Sequence, residues 1–295
     1  MKQPIFTGSG TATITPFTWE TVDYVALGRL LQFQLENGTD AIIVCGTTGE
    51  ASTMSYVERM RAIEYTVRAV DGRVPVIAGT GSNSTENAIT LSKDAALAGV
   101  DGLLMVTPYY NKATQAGLVR HYQAVADAVD RPIIVYNVPS RTGLCATAET
   151  YLELSRHPNI LGVKEASGNL GLVQRTRLIC PEDFYIWSGN DEDTAAICLF
   201  GGKGVISVAS NVVPRAVHDL TEACLQNNFL LAGQLQLALA RLIEALFCEV
   251  NPIPVKTALA MMGWCQEIFR LPMCPMSPAN RQALEEVLQE YGLVA

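Results

Sequence analysis

The sequence predicts an α/β fold, a (β/α)8 barrel (a TIM barrel) with a C-terminal helical extension. Three observations predict it. Eight short apolar runs recur at separations of roughly 20 to 35 residues, the length one βα unit needs. Most of these runs are apolar throughout rather than alternating, which suits parallel strands covered on both faces. Helical apolar spacing fills the gaps between them. A chain of 295 residues has room for two nucleotide-binding domains instead. The fingerprint G-x-G-x-x-G is absent after the first run, however. Gly79-Thr80-Gly81 has its first two glycines, but Ser84 stands where the third belongs.

In chain order the runs are Thr11–Ile14, Ala41–Cys45, Val74–Ala78, Gly102–Val106, Pro132–Tyr136, Ile160–Val163, Phe184–Trp187 and Gly204–Val208. Between the first two, Tyr24, Leu27, Leu31 and Leu35 fall at helical spacing. Tyr56–Val70 repeats the pattern with Val57, Met60, Ile63, Val67 and Val70. Ser84 caps the next helix, and Gly38 and Gly99 stand where helices should stop. The strand signal ends near residue 225. Leu230–Phe247, Val255–Met262 and Pro278–Tyr291 then read as helices. The expected organisation is a barrel over 1–225, with its active site at the C-terminal ends of the strands, and a helical extension over 226–295.

Hydrophobic residues make up 49% and charged residues 17%, so disorder is excluded for most of the chain. A net charge of -8 argues against a nucleic-acid or anionic-membrane partner. No unbroken apolar run reaches the ~18 residues of a membrane span, and Met1–Thr13 has no apolar core of a secretory leader. The eight cysteines form no C-x-x-C pair, which points to reduced thiols and a cytoplasmic location. His121, His157 and His218 are far apart in sequence, so no metal is expected.

Active sites of such barrels lie where the strands end. Lys164 closes the run Ile160–Val163. A buried lysine loses proton affinity, and its free amine can attack a ketone to form a Schiff base. The same position also suits a lysine with its head in solvent. Tyr136 is one strand away at a matching height and can relay protons, or can be an aromatic plug. Thr47 and Thr48, between glycines, offer hydroxyls and N–H groups to a carboxylate, or form a polar turn. Arg141 overhangs the same mouth as a carboxylate clamp, or as a solvated loop residue. Tyr109 and Tyr110 suit a subunit contact. Asp191, Glu192 and Asp193 suit a helix start better than a metal, and Glu50 suits loop support. Cys45, just before the threonine loop, is a candidate reagent-sensitive thiol.

Gly46-Thr47-Thr48-Gly49-Glu50, Tyr136-Asn137-Val138-Pro139-Ser140-Arg141-Thr142-Gly143 and Val163-Lys164-Glu165-Ala166-Ser167-Gly168 together resemble the pyruvate-dependent Schiff-base lyases and aldolases. Within that family the pattern is similar to the dihydrodipicolinate synthases. Asn251-Pro252-Ile253-Pro254-Val255-Lys256 and Arg270-Leu271-Pro272-Met273 extend the likeness over essentially the whole chain. The resemblance implies condensation of pyruvate with L-aspartate 4-semialdehyde through an imine on Lys164, giving 4-hydroxy-tetrahydrodipicolinate for lysine and diaminopimelate biosynthesis. It implies no metal or organic cofactor. Tyr136 would relay protons with Thr47 and with Tyr110 from a neighbouring subunit. Thr48 would hold the pyruvate carboxylate, Arg141 would orient Tyr136 and meet the second substrate, and Gly189 and Ile206 would line the pocket. A homotetramer, built as a dimer of dimers, would be the assembly.

The resemblance also places a candidate effector site for lysine at Ala51, Ser52, Tyr56, Arg59, Asn83, Asn87 and Tyr109. Asn87 replaces the family's usual glutamate, and Arg59 adds positive charge where histidine is common. Both changes weaken binding of a cation, so weak or absent inhibition by lysine is expected. A sugar-acid aldolase of the same family and a non-catalytic keto-acid binder are the competing readings. Arg141 and the Tyr109-Tyr110 pair favour a short carboxylate-bearing aldehyde over a polyol.

Overall fold

The structure is a computed structural model that describes residues 1–295. Eight parallel strands close into a barrel in sequence order. They are β1 (Gly8–Ala12), β2 (Ala41–Val44), β3 (Val76–Gly79), β4 (Gly102–Val106), β5 (Ile133–Asn137), β6 (Ile160–Glu165), β7 (Tyr185–Ser188) and β8 (Gly204–Ser207). Around them run α1 (Tyr24–Glu36), α2 (Tyr56–Val70), α3 (Thr85–Leu97), α4 (Gln115–Ala128), the short α5 (Pro139–Thr142), α6 (Ala148–Ser155), α7 (Leu170–Ile179), α8 (Thr194–Leu199) and α9 (Pro214–Leu225). The chain ends with α10 (Phe229–Leu246), α11 (Ile253–Met261) and α12 (Pro278–Glu290).

Local chemistry fixes the helix starts. Ser55 and Glu58 form a reciprocal capping box on α2, and Asp23, Ser84 and Thr114 cap α1, α3 and α4 through side-chain oxygens. Strand residues are buried on both faces, as continuous apolar runs require. Outward-facing side chains such as Ile42, Met105, Val135 and Val163 join the helices in one apolar cluster. Inward-facing Ile43, Ile77, Leu104, Ile134, Trp187 and Ile206 fill the barrel in another. Phe6 stacks on Trp187 at 5.4 Å within that inner cluster.

β1 begins at Gly8 rather than Thr11. Gly8, Ser9 and Gly10 have weak strand propensity, so local pattern misses them. All three pair with β8, Gly10 also pairs with β2, and Asp40 accepts a bond from Ser9 N at 2.7 Å. The second departure is in β6. Ile133 pairs with Ile160, yet Ile134 pairs with Gly162, so Leu161 is an extra residue in the ladder. Leu161 faces inward, Val163 faces outward, and Lys164 faces inward again. Without the bulge, strict alternation from Leu161 would turn Lys164 outward. β6 also continues to Glu165, so Lys164 lies inside the strand.

The C-terminal helices pack on α8 and α9 through an apolar cluster that includes Leu220, Leu239, Leu242, Val255 and Leu284. α10 is 18 residues long and, by length and mean hydropathy, apolar enough to cross a membrane. It is not an unbroken apolar run, because Gln234, Gln236, Arg241 and Glu244 interrupt the pattern. Ala232, Leu239, Leu242, Ile243 and Leu246 of α10 are buried within the protein's own core.

Candidate active site

Lys164 and Tyr136 are register partners on β6 and β5. Lys164 is 5% exposed, and its Nζ lies 4.3 Å from the centre of the Tyr136 ring. Burial lowers the Lys164 pKa from 10.5 to about 7. Asp191 pulls it back up and Arg141 pushes it further down. Near neutral pH the amine is therefore substantially free. Burial raises the Tyr136 phenol, against the smaller opposing effects of Arg141 and the Thr47 hydroxyl. The phenol thus keeps its proton where the amine gives its own away.

Asp191 is buried, and is more than a helix opener. Its Oδ1 accepts from the Ser207 hydroxyl, and its Oδ2 accepts from Val208 N at 2.9 Å and Ala209 N at 3.2 Å. Burial raises its pKa, while these donors and Lys164 favour the carboxylate. On the outer side of β6, Glu165 accepts from Tyr151 Oη at 2.7 Å, Asn137 Nδ2 at 3.1 Å and Ser167 N at 2.9 Å. These bonds tie the ends of β5 and β6 together beside Lys164.

Gly189 follows β7 and donates to Glu165 O at 2.7 Å. A Cβ there would come within 2.6 Å of Ala166 Cβ and 3.1 Å of Lys164 Cγ, so only glycine leaves the lysine stem undisturbed. Ile206, on β8 opposite Gly10, is fully buried in the barrel interior. Arg141, on α5, donates from Nη2 to Asn251 O at 3.2 Å. The Asn251 amide in turn donates to Thr48 Oγ1 at 3.0 Å. Glu50, two residues on, adopts a left-handed conformation (φ 52) and pairs with Lys256 Nζ in the interior. That Nζ also donates to Ile268 O at 3.0 Å and lies 4.2 Å from the Phe17 ring centre. The ion pair goes beyond the loop hydrogen bonding expected of Glu50.

A cavity of about 250 Å³ opens beside Tyr136 and is lined by Thr47, Ser52, Arg59, Tyr109, Arg141 and neighbouring residues. It carries two arginines and no acidic group. Arg59 donates to Gly79 O, and its Nε has no partner. Ser52, Arg59 and Tyr109 of the candidate effector set thus share this lining with Thr47, Tyr136 and Arg141, while Lys164 and Thr48 are not part of it. Tyr56, Asn83 and Asn87 lie outside this cavity. Tyr56 Oη donates to Asp94 at 2.5 Å, Asn83 O accepts from Asn111 at 2.9 Å, and Asn87 is exposed on α3. Tyr110 is 91% exposed, adopts φ 72, and also lies outside the cavity lining. Cys45 lines the cavity, but its thiol is buried and pushed up to about 12.

The dihydrodipicolinate synthetase family model matches residues 5–291. The chain belongs to this family. It is 52% identical over 292 residues to the 4-hydroxy-tetrahydrodipicolinate synthase of Thermoanaerobacter sp. (strain X514), covering 99% of this chain and 98% of the relative. The crystal structure of dihydrodipicolinate synthase from Aquifex aeolicus superposes with a TM-score of 0.96 at 47% identity, covering 98% of this chain and 99% of that one. The enzyme from Acinetobacter baumannii, solved in complex with pyruvate, superposes with a TM-score of 0.96 at 40% identity, covering 98% of this chain and 99% of that one. The activity is that of a 4-hydroxy-tetrahydrodipicolinate synthase (EC 4.3.3.7), a step of lysine biosynthesis.

Three residues stand out only in the structure. Asp191 carries no spacing signal that separates a buried counter-ion from a helix start. Asn251 and Lys256 lie in the stretch that resembles the family, but nothing local ties them to the threonine loop some 200 residues earlier.

Proposed function

We propose that the reaction runs through a covalent imine between Lys164 and pyruvate. The observation that carries this reading is the buried Lys164 amine, lowered to about 7 and set against Tyr136. The free amine attacks the pyruvate ketone, and Tyr136 with Thr47 moves the protons by which the carbinolamine loses water. The imine acts as the electron sink when the pyruvate methyl group loses a proton. The resulting enamine carbon attacks the aldehyde of L-aspartate 4-semialdehyde. The amino group of that substrate then displaces Lys164 as the ring closes. Thr48 holds the pyruvate carboxylate, and Arg141 meets the carboxylate of the second substrate. Gly189 gives the lysine stem room, and Ile206 lines the pocket from β8.

Tyr110 fits completion of a neighbour's site, because its ring is exposed beside the mouth. The assembly proposed is a homotetramer, a dimer of dimers, in the cytoplasm. Residues 1–225 form the catalytic barrel, and 226–295 brace it through Asn251 and Lys256. Lysine inhibition is weak or absent. The cavity at Arg59 and Arg141 offers no carboxylate to an ammonium group, and both arginines repel it. A lysine titration that reached half-inhibition well below millimolar would reject this last point.

The deciding test is borohydride reduction with pyruvate, then intact mass and peptide mapping. A reduced pyruvate adduct on Lys164 supports the mechanism. An adduct elsewhere, or none, removes it.

A further inference from the structure

We infer that Asn251 is a positioning residue for pyruvate: its side-chain amide donates to Thr48 Oγ1 and so leaves the Thr48 proton free for the pyruvate carboxylate. This rests on the reading that Thr48 holds that carboxylate. A threonine hydroxyl has one proton to give and lone pairs to receive. Asn251 Nδ2 lies 3.0 Å from Thr48 Oγ1, and both residues are buried. That bond is the only one made by the Thr48 hydroxyl; Nδ2 of Asn251 faces it while the buried Oδ1 has no partner, so in this bond the threonine oxygen accepts. Its proton therefore has no protein acceptor, and burial keeps bulk water from competing for it.

Asn251 also touches the other proposed carboxylate binder, Arg141. Its backbone oxygen accepts from Arg141 Nη2 at 3.2 Å, so one residue stands between the binders of both substrates. Its position is fixed from behind. Lys256, on the helix that follows, is paired with Glu50, two residues beyond Thr48 in the same loop. Two contacts from one C-terminal segment thus hold two residues of one loop, and the hydroxyl cannot drift relative to the amide. The roles within Asn251 differ. Its side chain sets the Thr48 proton, while its main chain meets Arg141, and only the side chain changes on substitution.

Steady-state kinetics of the full-length enzyme test this with N251A, N251D, T48V and the double variant T48V/N251A. N251A is expected to raise the KM for pyruvate about five- to tenfold, the worth of one oriented buried hydrogen bond. Its KM for L-aspartate 4-semialdehyde should stay within about twofold, because the Arg141 contact uses the main chain. N251D keeps the side-chain shape but can only accept, so it captures the Thr48 proton. Its pyruvate KM should rise at least as far as that of N251A. In the T48V background, N251A should add less than about twofold. If T48V raises the pyruvate KM but N251A or N251D leaves it unchanged, the inference falls while the Thr48 reading stands. An equal N251A effect in both backgrounds also overturns the inference. A T48V enzyme with normal pyruvate KM takes down both.

Discussion

Lys164 and Tyr136 share one height and one face of the barrel because Leu161 is an extra residue in β6. The bulge resets the alternation of β6 between Leu161 and Val163, so the lysine turns inward onto the phenol. Its desolvation follows from that turn, and its free amine follows from the desolvation.

The pH dependence of kcat/KM for pyruvate should report this amine. In the proposed mechanism the unprotonated form attacks pyruvate, so the rate constant should rise as pH rises through about 7. Asp191 stabilises the ammonium form. Asp191→Asn should therefore move the inflection to lower pH. An unchanged or higher inflection would show that Asp191 does not act on Lys164.

Gly162 sits in the bulge, and a Cβ there would come within 1.9 Å of Tyr185 O. Gly162→Ala must displace main chain on β7, next to the lysine strand. The expected loss of stability is about 3 kcal/mol, readable as a lower urea midpoint. A variant as stable as wild type would mean that the bulge has room to relax.

The Glu50–Lys256 pair is almost fully buried. Lys256→Met would leave Glu50 without its counter-ion and should lower stability by about 3–5 kcal/mol. Adding Glu50→Gln should restore most of that loss, because breaking a buried pair costs more than replacing both partners. Urea unfolding of the two variants gives the comparison. A double variant no more stable than the single one would deny the coupling.

All eight cysteines are free thiols. Cys145, Cys248 and Cys274 are exposed and should react with a thiol reagent in the native enzyme. Cys45 should not, because burial raises its thiol to about 12 and so suppresses the thiolate. Peptide mapping after native alkylation distinguishes these sites. Rapid labelling of Cys45 would reinstate the reagent-sensitive thiol expected from its place beside the threonine loop.

The sequence by itself determined the architecture. β4 spans the same residues as its apolar run, and α2 the same residues as its periodic stretch, because unbroken apolar runs and capped 3.6-residue periods are local signals. It also singled out Lys164, Tyr136, Thr47, Thr48 and Arg141, since polar groups at the ends of apolar strands are conspicuous. Tertiary structure decided what those groups face. The phase of β6 depends on its register against β5, which no pattern within β6 reveals. The start of β1 depends on neighbours that supply pairing where Gly8 and Gly10 supply little propensity. Asn251, Lys256 and Asp191 reach the site across distant stretches of chain, and only closure of the barrel under its C-terminal helices brings them there. Periodicity reports which face of an element is buried. Strand register and long-range hydrogen bonds, which no period encodes, set which way Lys164 faces and what holds the threonine loop.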